Sequence, residues 1–226
     1  MSVAVVSALA GLGASLYKLS FDLRLLQSPA IGELSESFGE KQVGSSAMPF
    51  KRNPIRAEKV NSLARYLATL PRLAWDNAAH MLLERTLDDS ANRRILLPEA
   101  CLAADELLRT ATGILTNLHV DEPAMRRNLS LHGPFAATER LLMALVKAGA
   151  DRQEMHESLR NLAMQAWEAI RLGEGNRLIE AICRDAKITA YLSEAGIQAL
   201  MDAATHLGDA PKRARELANT IRETVG

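Results

Sequence analysis

The sequence predicts an all-α protein in which a bundle of long helices is followed by a smaller helical domain. Apolar residues recur in alternating steps of three and four along two long stretches, the spacing of one helix face. No stretch sustains the period-two alternation that is typical of strands. Aromatic residues, which are enriched in strands, make up only 4% of the chain. We place the domain boundary after residue 122, so that 1–122 form the bundle part and 123–226 the smaller domain.

The first long helix is predicted from an apolar stripe that ends at Ser28-Pro29. The stripe consists of Val5, Leu9, Leu12, Leu16, Leu19, Leu23 and Leu26. No basic segment precedes the apolar run Ser2–Leu16, and charged residues from Lys18 onward make it too short to span a bilayer. We therefore predict a buried helix rather than a targeting or membrane segment.

Two further long helices complete the first domain. Asn53 is predicted to cap the first of these, with Pro54 at its first position. The apolar stripe of that helix is Val60, Leu63, Leu67 and Leu70. The next stripe consists of Leu97, Cys101, Ala104, Leu108, Ala111, Leu115 and Leu118. Seams of this length with few helices to cover them predict packing against missing sequence, other subunits or both.

Shorter helices are predicted after Pro123, because glycines interrupt the pattern repeatedly. The expected breaks are Gly133-Pro134, Gly149, Gly173 to Gly175 and Gly208. Asp151 and Glu154 have the spacing of a capping box.

The composition excludes several classes of function. Lysine plus arginine equals aspartate plus glutamate at 27 each, so no overall field favours nucleic acid or an anionic membrane. Two cysteines in 226 residues do not form a disulfide framework or a metal cluster, which fits a reducing cytoplasm. No metal-ligand spacing and no dinucleotide-binding glycine motif is present. We therefore expect a cytoplasmic protein without a cofactor or metal.

A loop rich in glycine and serine lies between the first two long helices, from Gly39 to Asn53. Such a loop exposes hydroxyl and backbone N–H groups and is able to close over a substrate. The residue types alone are equally compatible with a plain linker.

The full string of this loop resembles the signature of the fumarase/aspartase superfamily. Gly44 to Asn53 match each fixed position of Gly-Ser-Ser-x-Met-Pro-x-Lys-x-Asn. Met48–Pro54, together with the string from Glu84 to Arg94, resembles the adenylosuccinate lyases in particular, and the resemblance runs from about Val3 to beyond Arg160. It implies a homotetramer with shared active sites, which eliminates fumarate from adenylosuccinate and from the succinylated carboxamide ribonucleotide of purine biosynthesis.

The resemblance also implies roles for the loop residues. The reaction removes a proton beside a carboxylate and builds charge on that carboxylate, so it needs a base, cations and N–H donors. Ser45 corresponds to the base, and Ser46, Lys51 and Asn53 to residues that hold the carboxylates. Met48 is carried over as a substrate contact.

The second string predicts a phosphate site. A helix that begins around Ala91 after capping residues would offer N–H groups and a partial positive charge to an anion. Arg85, Ser90 and Arg94 are expected to converge on the nucleotide phosphate, because guanidinium groups match phosphate oxygens. In the alternative, Arg85 pairs with Asp88 or Asp89 and Arg94 is a solvated helix residue.

Positive charge is concentrated between residues 51 and 94, which hold nine lysines and arginines against five acids. This fits a substrate with a phosphate and two carboxylates, although a solvated basic face has the same composition. Lys59 occupies a position at which relatives carry an arginine that contacts substrate in a neighbouring subunit.

The histidines leave the general acid unassigned. In the family this acid is a histidine well upstream of the signature loop, in sequence that this chain lacks, and we expect the chain alone to be inactive. The five histidines match neither motif and are expected on helix surfaces or loops: His80, His119, His132, His156 and His206. Two other functions remain open, namely another lyase of the superfamily such as argininosuccinate lyase, and a non-catalytic helical assembly fragment.

Overall fold

A computed structural model describes residues 2–38, 52–84 and 86–225. Among them are nine α-helices, one short 3-10 helix and one pair of two-residue strands, which confirms the predicted all-α class. The chain divides into two compact units, Met1–Ala124 and Met125–Gly226.

Three long helices form the first unit: α1 (Ser2–Leu26), α2 (Ile55–Ala79) and α3 (Ser90–Thr116). Neighbouring helices run antiparallel. Arg24 near the end of α1 contacts Asn61 in the first half of α2, and Lys59 near the start of α2 contacts Glu106 in the second half of α3. The three helices share one core of leucine, valine, isoleucine and alanine side chains. Val60 and Leu67 are fully buried in this core and Leu63 packs against it, as the stripe of α2 predicted.

Helices α1 and α2 approach each other closely at Gly13. A Cβ atom at this position would lie 3.2 Å from Cδ2 of Leu67, which is tight for two carbon atoms. Asn61, fully buried on α2, donates from Nδ2 to the Tyr17 carbonyl at 2.9 Å and accepts from Arg24 Nη1 at 3.0 Å. These bonds fix the register of α1 against α2, because a shift of either helix would leave a buried amide without partners.

The buried faces of α1 and α3 match the predicted stripes only in part. In α3, Ala104 and Ala111 of the predicted stripe are buried together with Leu107, whereas Leu108 and Leu115 are about half exposed. Both helices are apolar on more than one face, so the period alone did not show which face packs inside the chain. Part of each predicted seam is therefore exposed apolar surface in the single chain.

Helix α1 also has the length and mean hydropathy of a membrane-spanning segment. This is weak support for a membrane location, because core helices of other proteins share both properties. Val6 and Leu23 of α1 are buried against the other helices of the first unit.

A short strand pair holds the chain between α1 and α2. The strand β1 (Leu34–Ser35) pairs antiparallel with β2 (His119–Val120), and the Asp121 amide donates to the Glu33 carbonyl at 2.9 Å. A turn at Gly32, whose φ of 64° favours glycine, leads into β1. The pairing places Glu36, directly after β1, beside the start of α2.

The start of α2 differs from the prediction by one residue. Its first helical residue is Ile55, Pro54 stands at the N-cap position, and Asn53 makes no side-chain cap. The Glu36 carboxylate instead accepts from the Arg56 and Ala57 amides. A carboxylate from outside the helix thus replaces the predicted local cap.

The second unit is built from six helices: α4 (Glu122–Lys147), α5 (Arg152–Arg171), α6 (Leu178–Arg184), α7 (Ala186–Thr189), α8 (Glu194–Met201) and α9 (Ala210–Val225). The predicted break at Gly133-Pro134 is wrong, because α4 continues through both residues. Glycines with positive φ follow α4 and α5 and precede α9, where breaks were predicted: Gly149, Gly173 and Gly208. Asp151 caps α5 by accepting from the Glu154 amide at 2.8 Å.

Candidate functional site

The predicted site residues fall into two groups. Ser45, Ser46, Met48, Lys51 and Arg85 lie outside the residues that the structure describes, so their roles remain predictions. The described members are Asn53, Lys59, Ser90 and Arg94.

Asn53 lies at a cavity of about 420 Å³ beside the N-terminus of α2. Its polar lining combines Arg24 and Arg52 with the amides of Gln27 and Asn53 and the carboxylate of Glu36. Two guanidinium groups and the Asn53 amide are groups that bind carboxylates, whereas Gln27 and Glu36 are occupied by backbone groups. The cavity is therefore a chemically suitable place for an anionic ligand next to Asn53.

Arg24 reaches this cavity from the end of α1 and is held there by two groups of α2. Its Nη1 donates to Asn61, and its Nη2 lies 3.9 Å from Oε1 of Glu58. The side chain of Arg24 is 35% exposed to solvent, so part of it remains accessible.

Lys59 is engaged within its own chain. Its ammonium group forms an ion pair with Glu106 of α3, whose carboxylate also accepts from the Thr110 hydroxyl at 3.0 Å. The hydrogen bond from Lys59, followed by that from Thr110, lowers the pKa of Glu106. Both partners of the ion pair are about half exposed, so substrate would have to compete only with a solvent-screened contact.

Ser90 and Arg94 lie on the first turns of α3. The helix begins at Ser90, one residue before the predicted start. Ser90 and Arg94 lie on the same face of the helix, because they are four residues apart. Asp89 at the N-cap position has a helical backbone conformation and makes no side-chain cap. It accepts instead from Arg93, at 3.0 Å, and is 6% exposed. Among the described residues, Arg93 thus pairs with Asp89, and Arg94 is exposed.

Within one chain, the structure does not bring Asn53 and Lys59 together with Ser90 and Arg94. Lys59 contacts Glu106 near the far end of α3, and Asn77 near the end of α2 exchanges hydrogen bonds with Asn92 near the start of α3. At 1.5 Å per residue, Ser90 is about 24 Å from Glu106 along the helix. The Asn53 cavity and the first turn of α3 therefore lie at opposite ends of the bundle, farther apart than one nucleotide extends.

Four of the five histidines lie on helices or at a helix end, as the sequence predicted, whereas His119 lies in the strand β2. Four are exposed, and His206 is half-buried with Nε2 3.2 Å from the Leu200 carbonyl. His80 ends α2 and its Nδ1 lies 2.7 Å from the Asp76 carbonyl. None of the histidines lines the Asn53 cavity. Within the described ranges, no group of three or more histidines, cysteines and acids is arranged to hold a metal ion.

The residues that sequence reasoning missed are Arg24, Gln27 and Glu36. They are separated from Asn53 by 17 or more positions and belong to no string that the chain shares with a known motif. The one available signal for Glu36 was an acid between two apolar stretches, which does not indicate its partner.

Comparison with known proteins gives two family matches. Residues 134–217 match the family "Adenylosuccinate lyase C-terminus", and residues 1–67 match the family "Lyase". Adenylosuccinate lyase of Schizosaccharomyces pombe is 38% identical over 220 residues, which are 97% of this chain and 45% of that protein. The Saccharomyces cerevisiae enzyme is 41% identical over 94% of this chain and 44% of its own length. The Pyrococcus horikoshii enzyme is 40% identical over 96% of this chain and 46% of its own length.

Solved structures share the fold. The chain is similar to 3-carboxy-cis,cis-muconate lactonizing enzyme from Pseudomonas putida, with a TM-score of 0.83 and 28% identity over 99% of this chain and 49% of that one. A fumarate lyase from Mesorhizobium sp. BNC1 has a TM-score of 0.75 at 24% identity, over 92% and 44% of the two chains, which supports the fold alone.

The chain spans just under half the length of the curated relatives that it matches. Almost all of its residues take part in these matches, and the C-terminal family match covers most of the second unit. The chain is therefore related to the adenylosuccinate lyases and corresponds to their C-terminal part.

Proposed function

We propose that this chain contributes to a lyase that eliminates fumarate from adenylosuccinate to give AMP, and from the succinylated carboxamide ribonucleotide of purine biosynthesis. The observation that carries the proposal is the 38–41% identity to yeast adenylosuccinate lyases over 94% or more of the chain. The signature segment and the Glu84–Arg94 string both lie within this span.

The proposed chemistry divides between the two ends of the bundle. Ser45 takes the proton beside the succinyl carboxylate, and Ser46, Lys51 and Asn53 stabilise the charge that develops there. A serine hydroxyl acts as a base only where positive charge stabilises the alkoxide and water is excluded. Arg24 and Arg52 beside Asn53 supply positive charge at this end of the described structure.

At the other end, Ser90 and Arg94 bind the nucleotide phosphate together with Arg85. Serine and arginine on the first turns of a helix combine hydrogen-bond donors with the positive end of the helix dipole. The roughly 24 Å between Ser90 and Glu106 along α3 supports a site built from several subunits, in which one chain provides the first turn of α3 and another provides Asn53. A homotetramer of the kind that the resemblance implies would allow this arrangement.

The exposed apolar surface of α1 and α3 also supports assembly. Phe21 and Leu25 on α1 and Leu102 and Leu115 on α3 are each exposed by half or more. Apolar surface of this extent favours burial against another chain or another part of the same protein.

The test is fumarate release from adenylosuccinate by the natural, complete protein that carries this sequence, with AMP and arginine compared as ligands by calorimetry. We expect fumarate release and binding of AMP but not of arginine. Arginine binding would favour argininosuccinate as the substrate. No turnover in an assembled protein would favour a structural role.

The similarity to the muconate lactonizing enzyme raises a second candidate reaction. Its TM-score of 0.83 covers nearly the whole chain, but its 28% identity is lower than that of the adenylosuccinate lyases. Conversion of a carboxymuconate in place of adenylosuccinate would establish this alternative.

A further inference from the structure

The chain between α1 and α2 is tied to itself on either side of residues 39–51. Phe38 and Arg52 are the described residues on either side of 39–51, and the Arg52 guanidinium carbon lies 5.3 Å from the centre of the Phe38 ring. This distance is within the range of a cation–π contact.

Gln27 makes a second tie with both hydrogen-bonding ends of its amide. Its Oε1 accepts from the Glu36 backbone amide at 3.0 Å, and its Nε2 donates to the Arg52 carbonyl at 3.2 Å. One side chain at the end of α1 therefore connects the backbone before residues 39–51 to the backbone after them.

Glu36 completes the arrangement by binding the start of α2. Its two carboxylate oxygens accept from the Arg56 amide at 3.1 Å and from the Ala57 amide at 2.5 Å. The first amides of a helix lack partners within the helix and carry partial positive charge, so a carboxylate is the most favourable partner for them. Glu36 is only 7% exposed, and its carboxylate lies where water competes little with these bonds.

Together these contacts fix the backbone on both sides of Asn53. Gln27 holds the residue before it, and Glu36 holds the third and fourth residues after it. Asn53 itself bonds through its carbonyl to the Ile55 amide at 2.9 Å, which leaves its side chain out of the capping arrangement. Asn53 is thus held from both directions at the edge of the cavity.

We propose that Gln27 and Glu36 are positioning residues for the elimination, which hold Asn53 where the substrate carboxylate binds. The inference rests on the proposed function. Neither side chain needs to touch the substrate, since each acts through the backbone next to Asn53. A misplacement of about 1 Å at such a group costs on the order of a hundredfold in rate.

The experiment compares Glu36→Gln and Gln27→Met in the natural, complete protein with matched controls at exposed positions, Glu99→Gln and Gln153→Met. Glu36→Gln keeps the shape but places an amide N–H₂ against a backbone N–H. Gln27→Met keeps the length and loses both bonds. We expect kcat to fall about tenfold to a hundredfold in both variants, with KM changed less, and both controls to stay at the parental values.

Two readouts separate positioning from simple loss of folded protein. The first is kcat per AMP-binding site, with the sites counted by calorimetry, because misfolded molecules do not contribute to either quantity. The second is hydrogen exchange of the Arg56 and Ala57 amides, which we expect to accelerate roughly tenfold or more in Glu36→Gln and to stay unchanged in Glu99→Gln.

Parental kcat per AMP-binding site in both variants would overturn the positioning role, and so would unchanged exchange at Arg56 and Ala57. A different outcome addresses the function itself. If the unmodified protein releases no fumarate, the proposed function fails and the role in elimination fails with it, whereas a parental rate in the variants contradicts the positioning role alone.

Discussion

Replacement of Arg94 by alanine tests the proposed phosphate site. Arg94 is exposed on the first turns of α3, so its bond to a phosphate is partly screened by water. Hydrogen bonds to charged groups contribute about 1.5 to 3 kcal/mol, and exposure places this one near the lower end. A loss of about 1.5 kcal/mol corresponds to roughly a tenfold increase in the Kd for AMP.

Arg109 provides the matched control on the same helix. It is similarly exposed and donates to Asp105 at 2.7 Å, within its own helix. At 1.5 Å per residue it lies about 22 Å from Arg94. Because the Debye length is about 8 Å at physiological salt, Arg109→Ala should change the Kd for AMP by less than about twofold.

The assay is titration calorimetry of both variants with AMP and with adenosine. Arg94→Ala should weaken AMP binding and leave adenosine binding unchanged, since only AMP carries the phosphate. Equal affinity of Arg94→Ala and the parent for AMP would refute the phosphate role. An equal loss for AMP and adenosine would also refute it, because it would indicate a change in the pocket rather than the loss of an anion contact.

Four further outcomes follow from the same account. Ser45→Ala should lower turnover by at least about a hundredfold with AMP affinity retained, and Ser46→Ala measured beside it shows which serine is the base. Asn61→Leu should lower the free energy of unfolding by about 2 to 3 kcal/mol in urea titrations. An unchanged free energy of unfolding would show that the buried hydrogen bonds of Asn61 do not stabilise the fold. Lys59 lowers the pKa of Glu106, so the ion pair stabilises the fold fully above the ordinary glutamate pKa and less as the pH falls through the lowered pKa. Lys59→Ala should remove this part of the pH dependence of the free energy of unfolding. Light scattering should show an assembly larger than a monomer.

The long helices and the α2 core could be predicted because they depend on local periodicity. Val60 and Leu67 repeat at helical spacing on a helix with polar residues on its other faces, so only one face could be buried. In α3 the same reasoning selected Ala104 and Ala111, which are buried, but also Leu108 and Leu115, which are about half exposed. That helix is apolar around much of its circumference, and the choice between its faces depends on α1 and α2.

The candidate site shows the same limit. Ser90 and Arg94 were predicted from a contiguous string, and the structure places them four residues apart on one helix. The contacts around Asn53 depend on Gln27, which directly follows α1, and on Glu36, which the β1–β2 pairing brings to the start of α2. A contact between residues 20 positions apart has no local pattern, and a capping prediction based on neighbouring residues favoured Asn53 instead.

The most direct measurement of the central claim is a complementation assay of fumarate release from adenylosuccinate. These 226 residues are assayed alone, mixed with a full-length adenylosuccinate lyase whose serine equivalent to Ser45 is replaced by alanine, and compared with that disabled enzyme alone. We expect release from the mixture only, because the 226 residues supply the base and the disabled enzyme supplies the acid. Release by the 226 residues alone would show that one of their own histidines serves as the acid, and no release from a mixture that has co-assembled would contradict the proposed role in the lyase.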